Sequence, residues 1–325
     1  MSASPDQRPE PSLQRKAALT HGGALDHAGR VLVRPIPDFD LDRTIFKTLE
    51  GRVARGVMRA RVGKDVSWHH EHARAVAAAY EAAPVALPPI DPALLNFLVT
   101  RCDFDVEHAD GSFLDHLYFC FEYAARHYPQ RSPLVLLLHS ILGTGTNTFA
   151  MPASEIPTLR TLLSPFDWTH TEAFPSILRL LYAGGLRREL WANLGREPKH
   201  LRFHRVIDNA PIALTGDDLW IALNYQLIHL VDFLPVANWA GHANDTSFIL
   251  FRDLYALLTR AGRLEARVDY TPARGPRQHL GEDRGWRARV ADAIPVALSE
   301  RMAARSVSTF SARVGHDLSY AIDWA

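Results

Sequence analysis

The chain has 325 residues, and its 36 Lys and Arg residues balance 36 Asp and Glu residues, so the formal net charge is zero. Because no net positive field exists to attract nucleic acid or anionic lipid, we expect neither as a partner. No apolar stretch reaches the roughly 18 residues that span a bilayer. The only cysteines, Cys102 and Cys120, lack C-x-x-C spacing, which excludes a thiolate zinc site and indicates a reducing, cytoplasmic location.

Composition divides the chain into four predicted parts within one compact domain. Residues 1–30 are polar and contain proline, which predicts a disordered tail. An N-terminal extension covers 31–109, a helical core covers 110–262, and a C-terminal helical appendage covers 263–325. Near the end of the extension, Asp91 and Pro92 are typical of a helix N-cap and a first helical residue.

Apolar residues at helical spacing then recur almost to the C-terminus. A helix is predicted to begin near Ser112, and Thr215 or Asp217 is predicted to cap a strongly amphipathic one. At least seven such segments occur without a convincing set of alternating strands, which predicts an all-α fold. The other predicted helical segments are 72–83, 132–142, 154–164, 171–194 with a break at Gly184 and Gly185, 245–261 and 283–304.

The most informative segment is the apolar run Leu134–Leu138, which leads directly into His139, Ser140 and the glycine turn 143–145. A buried run that ends in a histidine at a turn presents an imidazole to the protein interior. A second histidine, His116, lies 23 positions earlier on a predicted helix. The two histidines are therefore candidates for one shared site.

These two segments resemble the HD-domain superfamily, whose signature is a helical histidine followed by an apolar run that ends in His-Asp and then a glycine. Here Ser140 takes the place of that aspartate. They are also similar to an uncharacterised bacterial HD-like subfamily in which His-Ser and Gly-Thr replace the usual pattern. The resemblance extends over about Asp110–Pro235 and implies an HD-domain-like helical core with an N-terminal extension and extra C-terminal helices.

The resemblance also implies a metal site. In the superfamily a final aspartate on a later helix is a metal ligand, and the matching segment here is His229–Leu234, with Asp232 in that position. His116, His139 and Asp232 would form a set of two imidazoles and one carboxylate for Fe, Mn or Zn, with open positions for substrate, water or oxygen. The alternative is that each histidine is an ordinary hydrogen-bonded core residue.

Ser140 limits what such a site can do. The family's aspartate commonly bridges two ions, whereas a neutral hydroxyl bridges poorly and compensates no second positive charge. We therefore expect either a single metal ion or a site that has lost its metal and become a binding pocket. A third hypothesis makes Ser140 a catalytic nucleophile beside His139, although adjacency alone does not establish a Ser-His hydrogen bond.

Two other polar clusters have more than one interpretation. Residues 69–72 contain three histidines and suit either metal chelation or the polar start of a helix. His200 and His204 would share one face of a helix. Their neighbours Arg202 and Arg205 indicate instead a solvated segment that is able to bind an anionic substrate.

The apolar run before His139 is also similar to the strand and oxyanion loop of an α/β-hydrolase. That fold demands a G-x-S-x-G nucleophile elbow downstream, and the sequence contains none. It also demands further β-α alternation, whereas the following segments are predicted to be helices. The helical interpretation is therefore favoured.

Together these features predict a mononuclear metal-dependent enzyme that acts on a small polar or phosphorylated molecule. It would be either a hydrolase or a non-haem iron oxygenase. The alternative function is a metal-free binding or scaffold protein derived from the HD fold, with a small-molecule ligand. The sequence indicates no particular oligomeric state.

Overall fold

A computed structural model of the chain describes residues 24–25, 31–32, 52, 87–102, 107–108, 111–145, 147, 149–236, 246–268, 290 and 293–325. Of these, residues 24–25, 31–32, 99, 107–108, 111–116, 118–119 and 231–236 are described by their backbone alone. The predicted helix 72–83 and the histidine cluster at 69–72 lie outside the described residues.

Helix α1 (Pro92–Arg101) begins as the sequence predicts, because Asp91 Oδ1 accepts the N–H of Ala93 at 2.7 Å. Helix α2 (Phe113–His127) begins one residue after the predicted Ser112. Further short elements complete this part of the chain. They are the strand pairs β1 (Ala24–Leu25) with β2 (Val31–Leu32) and β3 (Glu107–His108) with β4 (Gly111–Ser112), helices α3 (Leu134–Leu137) and α4 (Ile156–Thr161), and a 3₁₀ turn at Ala153–Glu155.

Helices α5 (Pro165–Ala183) and α6 (Gly185–Ala192) meet at the break that the sequence predicts. Gly184 ends α5 with a φ of 81°, a left-handed conformation that glycine adopts without strain. Ser164, the predicted end of the preceding segment, is instead the N-cap of α5. Its Oγ accepts the N–H of Asp167 at 3.1 Å.

Three long helices follow: α7 (Gly216–Val236), α8 (Thr246–Arg260) and α9 (Val296–Arg313). Thr215 is the cap of α7, because its Oγ1 accepts the N–H of Asp218 at 3.1 Å and donates to the Asp218 carboxylate at 2.6 Å. Within the described part of the chain, no helix is both long and apolar enough to cross a membrane.

The all-α fold class is wrong, because the mostly helical structure contains a three-stranded antiparallel sheet. Strand β5 (Pro198–His204) lies in the centre, with β6 (Pro211–Thr215) on one side and β7 (Ala321–Trp324) on the other. In the register, Leu201 pairs with Leu214 and with Ile322. The sheet therefore joins the middle of the chain to its C-terminal end.

One strand of the sheet that was not predicted has a local pattern in the sequence, whereas its pairing with β7 is nonlocal. Leu201 and Phe203 are buried while Arg202 is exposed, which is the alternation of a half-buried strand. Charged residues around this alternation favoured a solvated segment instead. The partner strand β7 lies 121 residues away at the Arg202–Asp323 pair, and no local pattern predicts such a pairing.

The apolar run before His139 is a single helical turn, α3, rather than the predicted helix to residue 142 or a hydrolase-type strand. Val135 and Leu136 pack into a large core formed with α5, α7, α8 and the sheet. Leu137 and Leu138 pack into a second core with α1, α2 and α4. Because the run is buried on all sides, it fixes the position of the histidine that follows it.

Candidate functional site

His139 follows α3 and is fully buried, with 0% of its surface exposed. Its Nδ1 lies 2.7 Å from the carbonyl oxygen of Leu136. Because a carbonyl oxygen only accepts, Nδ1 carries the hydrogen and donates it. In the uncharged form of the ring the lone pair is therefore on Nε2. Metal-binding histidines are commonly oriented in this way, with the other ring nitrogen donating to a carbonyl or carboxylate.

A second buried imidazole, that of His229 on α7, lies against the first. The ring centres of His139 and His229 are 4.6 Å apart, with an angle of 63° between the ring planes. Phe174 on α5 packs against both rings, at 4.8 Å from His139 and 5.2 Å from His229. Three elements, α3, α5 and α7, thus bring two imidazoles and one aromatic ring together.

The sequence analysis did not predict His229 as a site residue, although this histidine begins the segment that contains Asp232. His229 lies three residues before Asp232 on α7, which places the two residues one turn apart on the same helix. This spacing of three residues could have indicated His229 as a second candidate ligand from the sequence. A histidine and a carboxylate at positions i and i+3 are a recurrent way to present two ligands from one helix.

His116 and Asp232 lie on the helices where the sequence predicts them, but their side chains are outside the described residues. His116 is in the first turns of α2, and Asp232 is near the end of α7. Helix α2 packs against α3 and against α7. Among the described side chains, no group of three or more His, Cys, Asp or Glu residues that could hold a metal ion occurs.

Ser140 is buried beside His139 at the start of a tight turn. Its carbonyl oxygen accepts the N–H of Gly143 at 3.2 Å. Gly143 has a φ of 129°, and a Cβ at this position would lie 3.0 Å from Phe149 and 3.1 Å from Val206. The sequence prediction of a glycine turn after His139 is confirmed, and both the positive φ and the tight contacts at Gly143 favour glycine there.

The same loop leads to a fully buried arginine. The guanidinium of Arg179, on α5, donates to the Thr144 carbonyl at 2.8 Å, to Asn147 Oδ1 at 2.7 Å and to Ser311 Oγ at 3.2 Å. Burial lowers the pKa of Arg179 to about 10, because removal from water disfavours the charged form. The side chain nevertheless remains protonated at neutral pH. Sequence reasoning did not identify Arg179, because it occurs in the apolar face of a helix.

Hydrogen bonds connect Arg179 through Ser311 to His316, and the donor and acceptor of each can be assigned. His316 Nε2 lies 2.9 Å from the His204 carbonyl, so Nε2 donates. His316 Nδ1 therefore accepts from Ser311 Oγ at 3.3 Å, while Ser311 accepts from Arg179. Burial lowers the pKa of His316, and the charge of Arg179 lowers it further. Burial and the charge of Arg179 thus favour the neutral form of His316, whereas its contact with the His204 carbonyl acts in the opposite direction.

A separate buried histidine, His170 on α5, has its Nε2 3.4 Å from Asp218 Oδ1 at the start of α7. Contact with His170 lowers the pKa of Asp218 to about 2, and the hydroxyl of Thr215 acts in the same direction. Because Asp218 lies in the first turn of α7 and accepts from the cap residue Thr215, this pair joins two helices. It has the character of a structural contact between α5 and α7.

The basic segment that the sequence analysis considered for anion binding is engaged elsewhere. His200, Arg202 and His204 lie on β5 rather than on a helix, so the two histidines share a strand face. Arg202 binds both carboxylate oxygens of Asp323, at 2.6 and 2.8 Å. Arg205 pairs with Glu172 and Asp208.

No known protein family, curated protein or solved structure matches this chain.

Proposed function

We propose that this protein is a metal-dependent enzyme with one divalent ion in the site around His139. The proposed ligands remain His116, His139 and Asp232, and we add His229 as a fourth candidate. The resemblance of the first two motifs to the HD-domain superfamily supports this assignment. The substrate class is a small polar or phosphorylated molecule, and the reaction is hydrolysis or an iron-dependent oxidation.

One observation carries the proposal: the buried His139 ring donates from Nδ1 to a backbone carbonyl, and a second imidazole lies 4.6 Å away. Two imidazoles that bind one ion at about 2.0–2.2 Å have ring centres about 4.5–5 Å apart. The separation of 4.6 Å between the ring centres lies in that range. This spacing supports the proposal that His139 and His229 supply two nitrogen ligands from two different elements, with Asp232 one helical turn beyond the second.

A bound divalent ion in such a site supplies either a water of lowered pKa or open positions for oxygen. The residues of the chain supply orientation and exclude bulk water. The Leu136 carbonyl fixes the tautomer of His139, and Phe174 closes one side of both rings. Ser140, directly after His139, supplies a neutral hydroxyl where the family has a second anionic ligand. This favours a single ion.

The second candidate function is a metal-free binding or scaffold protein. The contact between His139, His229 and the apolar ring of Phe174 favours it, because buried histidines in such surroundings are commonly core residues. Under this alternative the His139–His229 contact is packing, and no variant of either histidine changes metal content.

Elemental analysis of protein purified without a histidine tag separates the two functions. We expect about one metal ion per chain in the wild type and a loss of most metal in His139→Gln. The matched control is His200→Gln, an exposed histidine on β5, which should retain the metal. A wild type that stays metal-free after incubation with Fe(II), Mn(II) and Zn(II) would overturn the metal-dependent function.

A further inference from the structure

A buried glutamine joins the two long helices that meet beside His139. Gln226 lies on α7 and is 0% exposed, and its Nε2 donates to the carbonyl oxygen of Phe174 on α5 at 2.9 Å. The ring of Phe174 packs against the rings of both His139 and His229. Gln226 also lies three residues before His229, so the two residues are neighbours on one side of α7. The hydrogen bond therefore ties α7 to the residue of α5 that both imidazoles contact.

The contact differs in kind from the apolar packing of these helices. Both helices contribute apolar side chains to the large core, among them Ile177 and Leu181 from α5 and Leu223 and Leu227 from α7. Hydrophobic contacts have no preferred direction, so they hold two helices together without fixing how one slides along the other. A hydrogen bond weakens steeply with distance and angle. The Gln226 amide thus adds a directional restraint at the level of the His139–His229 contact.

Stability alone does not account for an amide at this position. The Oε1 of Gln226 is completely buried and accepts no hydrogen bond from the described residues. A buried acceptor without a donor costs at least as much free energy as one buried hydrogen bond contributes. The Phe174 carbonyl lies inside α5, where the N–H four residues later is its regular helical partner. An apolar side chain of the same length would therefore leave no backbone group of α5 unpaired.

We propose that Gln226 is a positioning residue for the metal site around His139. By tying α7 to the Phe174 carbonyl, it holds the His139 and His229 rings at the separation of 4.6 Å that suits two ligands of one ion. This inference rests on the proposed function, because the arrangement that Gln226 maintains is that of the proposed ligands. Groups that orient metal ligands without binding the metal typically change its affinity by about 10- to 100-fold.

The competing role for Gln226 is structural support of the contact between α5 and α7. Under that role, Gln226→Met lowers the stability of the fold and leaves the site of the folded protein unchanged. Under the positioning role, Gln226→Met keeps the fold, because it also removes the buried acceptor without a donor, and it displaces His229 relative to His139. The two roles therefore predict opposite results for stability and for metal affinity.

The test compares Gln226→Met with Tyr225→Phe in the full chain. Tyr225, the preceding residue of α7, donates from its hydroxyl to the Ser132 carbonyl at 2.8 Å. Its variant also removes one hydrogen bond from α7 to a backbone carbonyl, but to one outside α5. Co(II) titration measures metal affinity, and thermal unfolding of metal-free protein measures stability. Nuclear Overhauser contacts between the imidazole protons of His139 and His229 in metal-free protein report the ring separation without any metal.

We expect Gln226→Met to bind Co(II) about tenfold or more weakly than the wild type, and to lose the imidazole contact. It should unfold at no lower temperature than Tyr225→Phe, which should keep the wild-type affinity and the imidazole contact. Either wild-type Co(II) affinity or an unchanged imidazole contact in Gln226→Met would overturn the proposal, whatever the stability of the variant. A wild type that binds no Co(II) would overturn the proposed metal site, and the imidazole contact in Gln226→Met alone would then decide whether Gln226 positions the two rings.

Discussion

At the residue scale, single backbone contacts determine which ring nitrogen donates in two buried histidines. The Leu136 carbonyl makes Nδ1 the donor in His139, and the His204 carbonyl makes Nε2 the donor in His316. The two rings therefore carry this donated hydrogen on opposite nitrogens. These assignments follow from the chemistry of carbonyl oxygens and lead to two predictions.

The first prediction concerns His316 and pH. Its pKa in the folded protein is lowered from 6.5 by burial and by the charge of Arg179, with the His204 carbonyl and Asp317 acting in the opposite direction. The unfolded chain therefore binds a proton at this position at a pH where the folded chain does not. We expect this contribution to stability to be complete above pH 7 and to be lost as the pH falls below 6.5 towards the lowered pKa.

Urea unfolding of the wild type and of His316→Gln between pH 5 and pH 8 measures this effect. The difference in unfolding free energy between the two proteins should shrink as the pH falls. A difference that stays constant over this range would show that His316 titrates equally in both states.

The second prediction concerns Ser140→Asp. A carboxylate beside His139 adds a negative ligand to the proposed ion, so we expect tighter metal binding or a second ion per chain. Without metal the same carboxylate is buried and unpaired, so the variant should unfold at lower temperature in a chelator and recover when metal is added. Ser140→Asn is the neutral control and should show no recovery. Identical metal content and thermal behaviour of the two variants would contradict the placement of Ser140 at a metal site.

At the element scale, helix ends and glycine turns decide where the site residues lie. Gly216, the first residue of α7, lies directly against the backbone of β5, where an added Cβ would overlap the carbonyl oxygen of Pro198. This close approach joins the sheet to the helix that carries His229. Gly145, by contrast, has among the described residues only Leu178 within reach, at 4.0 Å from an added Cβ.

The third prediction compares alanine at these two glycines. Gly216→Ala should destabilise the protein by at least about 2 kcal/mol, because the rigid backbone of β5 must move to accept the methyl group. Gly145→Ala should change stability by less than about 1 kcal/mol. Chemical unfolding of both variants provides the comparison. Equal stability of the two variants would mean that β5 and α7 adapt to each other more easily than their contact implies.

The sequence predicts local elements of this fold better than nonlocal ones. Caps at Asp91 and Thr215 and the break at Gly184 are confirmed, because side-chain and glycine chemistry at helix ends is local. The sheet was missed, because β7 pairs with a strand more than a hundred residues away. For the site, the sequence predicts the turn after His139, whereas the His139–His229 contact depends on how α3 and α7 pack.

At the scale of the whole molecule, the C-terminal strand belongs to the main core. Leu318, Tyr320, Ile322 and Trp324 pack against the large apolar core that also contains α5 and α7. The N–H of Ala325 donates to the Glu197 carbonyl at 2.8 Å and closes the sheet beyond β7. The end of the described chain therefore supports the elements that position His229 and Arg179.

The fourth prediction is that deletion of residues 318–325 destabilises the whole domain in one cooperative transition. The deletion exposes the edge of β5 and removes four partly buried side chains that pack against the core, so both the midpoint and the sharpness of thermal unfolding should fall. The control is Asp323→Asn, which breaks only an exposed ion pair and should have little effect. Unchanged unfolding of the truncated protein would show that β7 contributes no stability.

The central claim is that His139 and His229 bind one metal ion, and Co(II) titration of metal-free protein tests it most directly. Absorption of Co(II) in the visible region reports the number and type of ligands. For the wild type we predict a band that saturates at about one equivalent. For His229→Gln we predict a weaker, shifted band, and for the exposed His200→Gln the wild-type band. Titrations of wild type and His229→Gln that are indistinguishable, or a wild type with no saturable band, would contradict the claim.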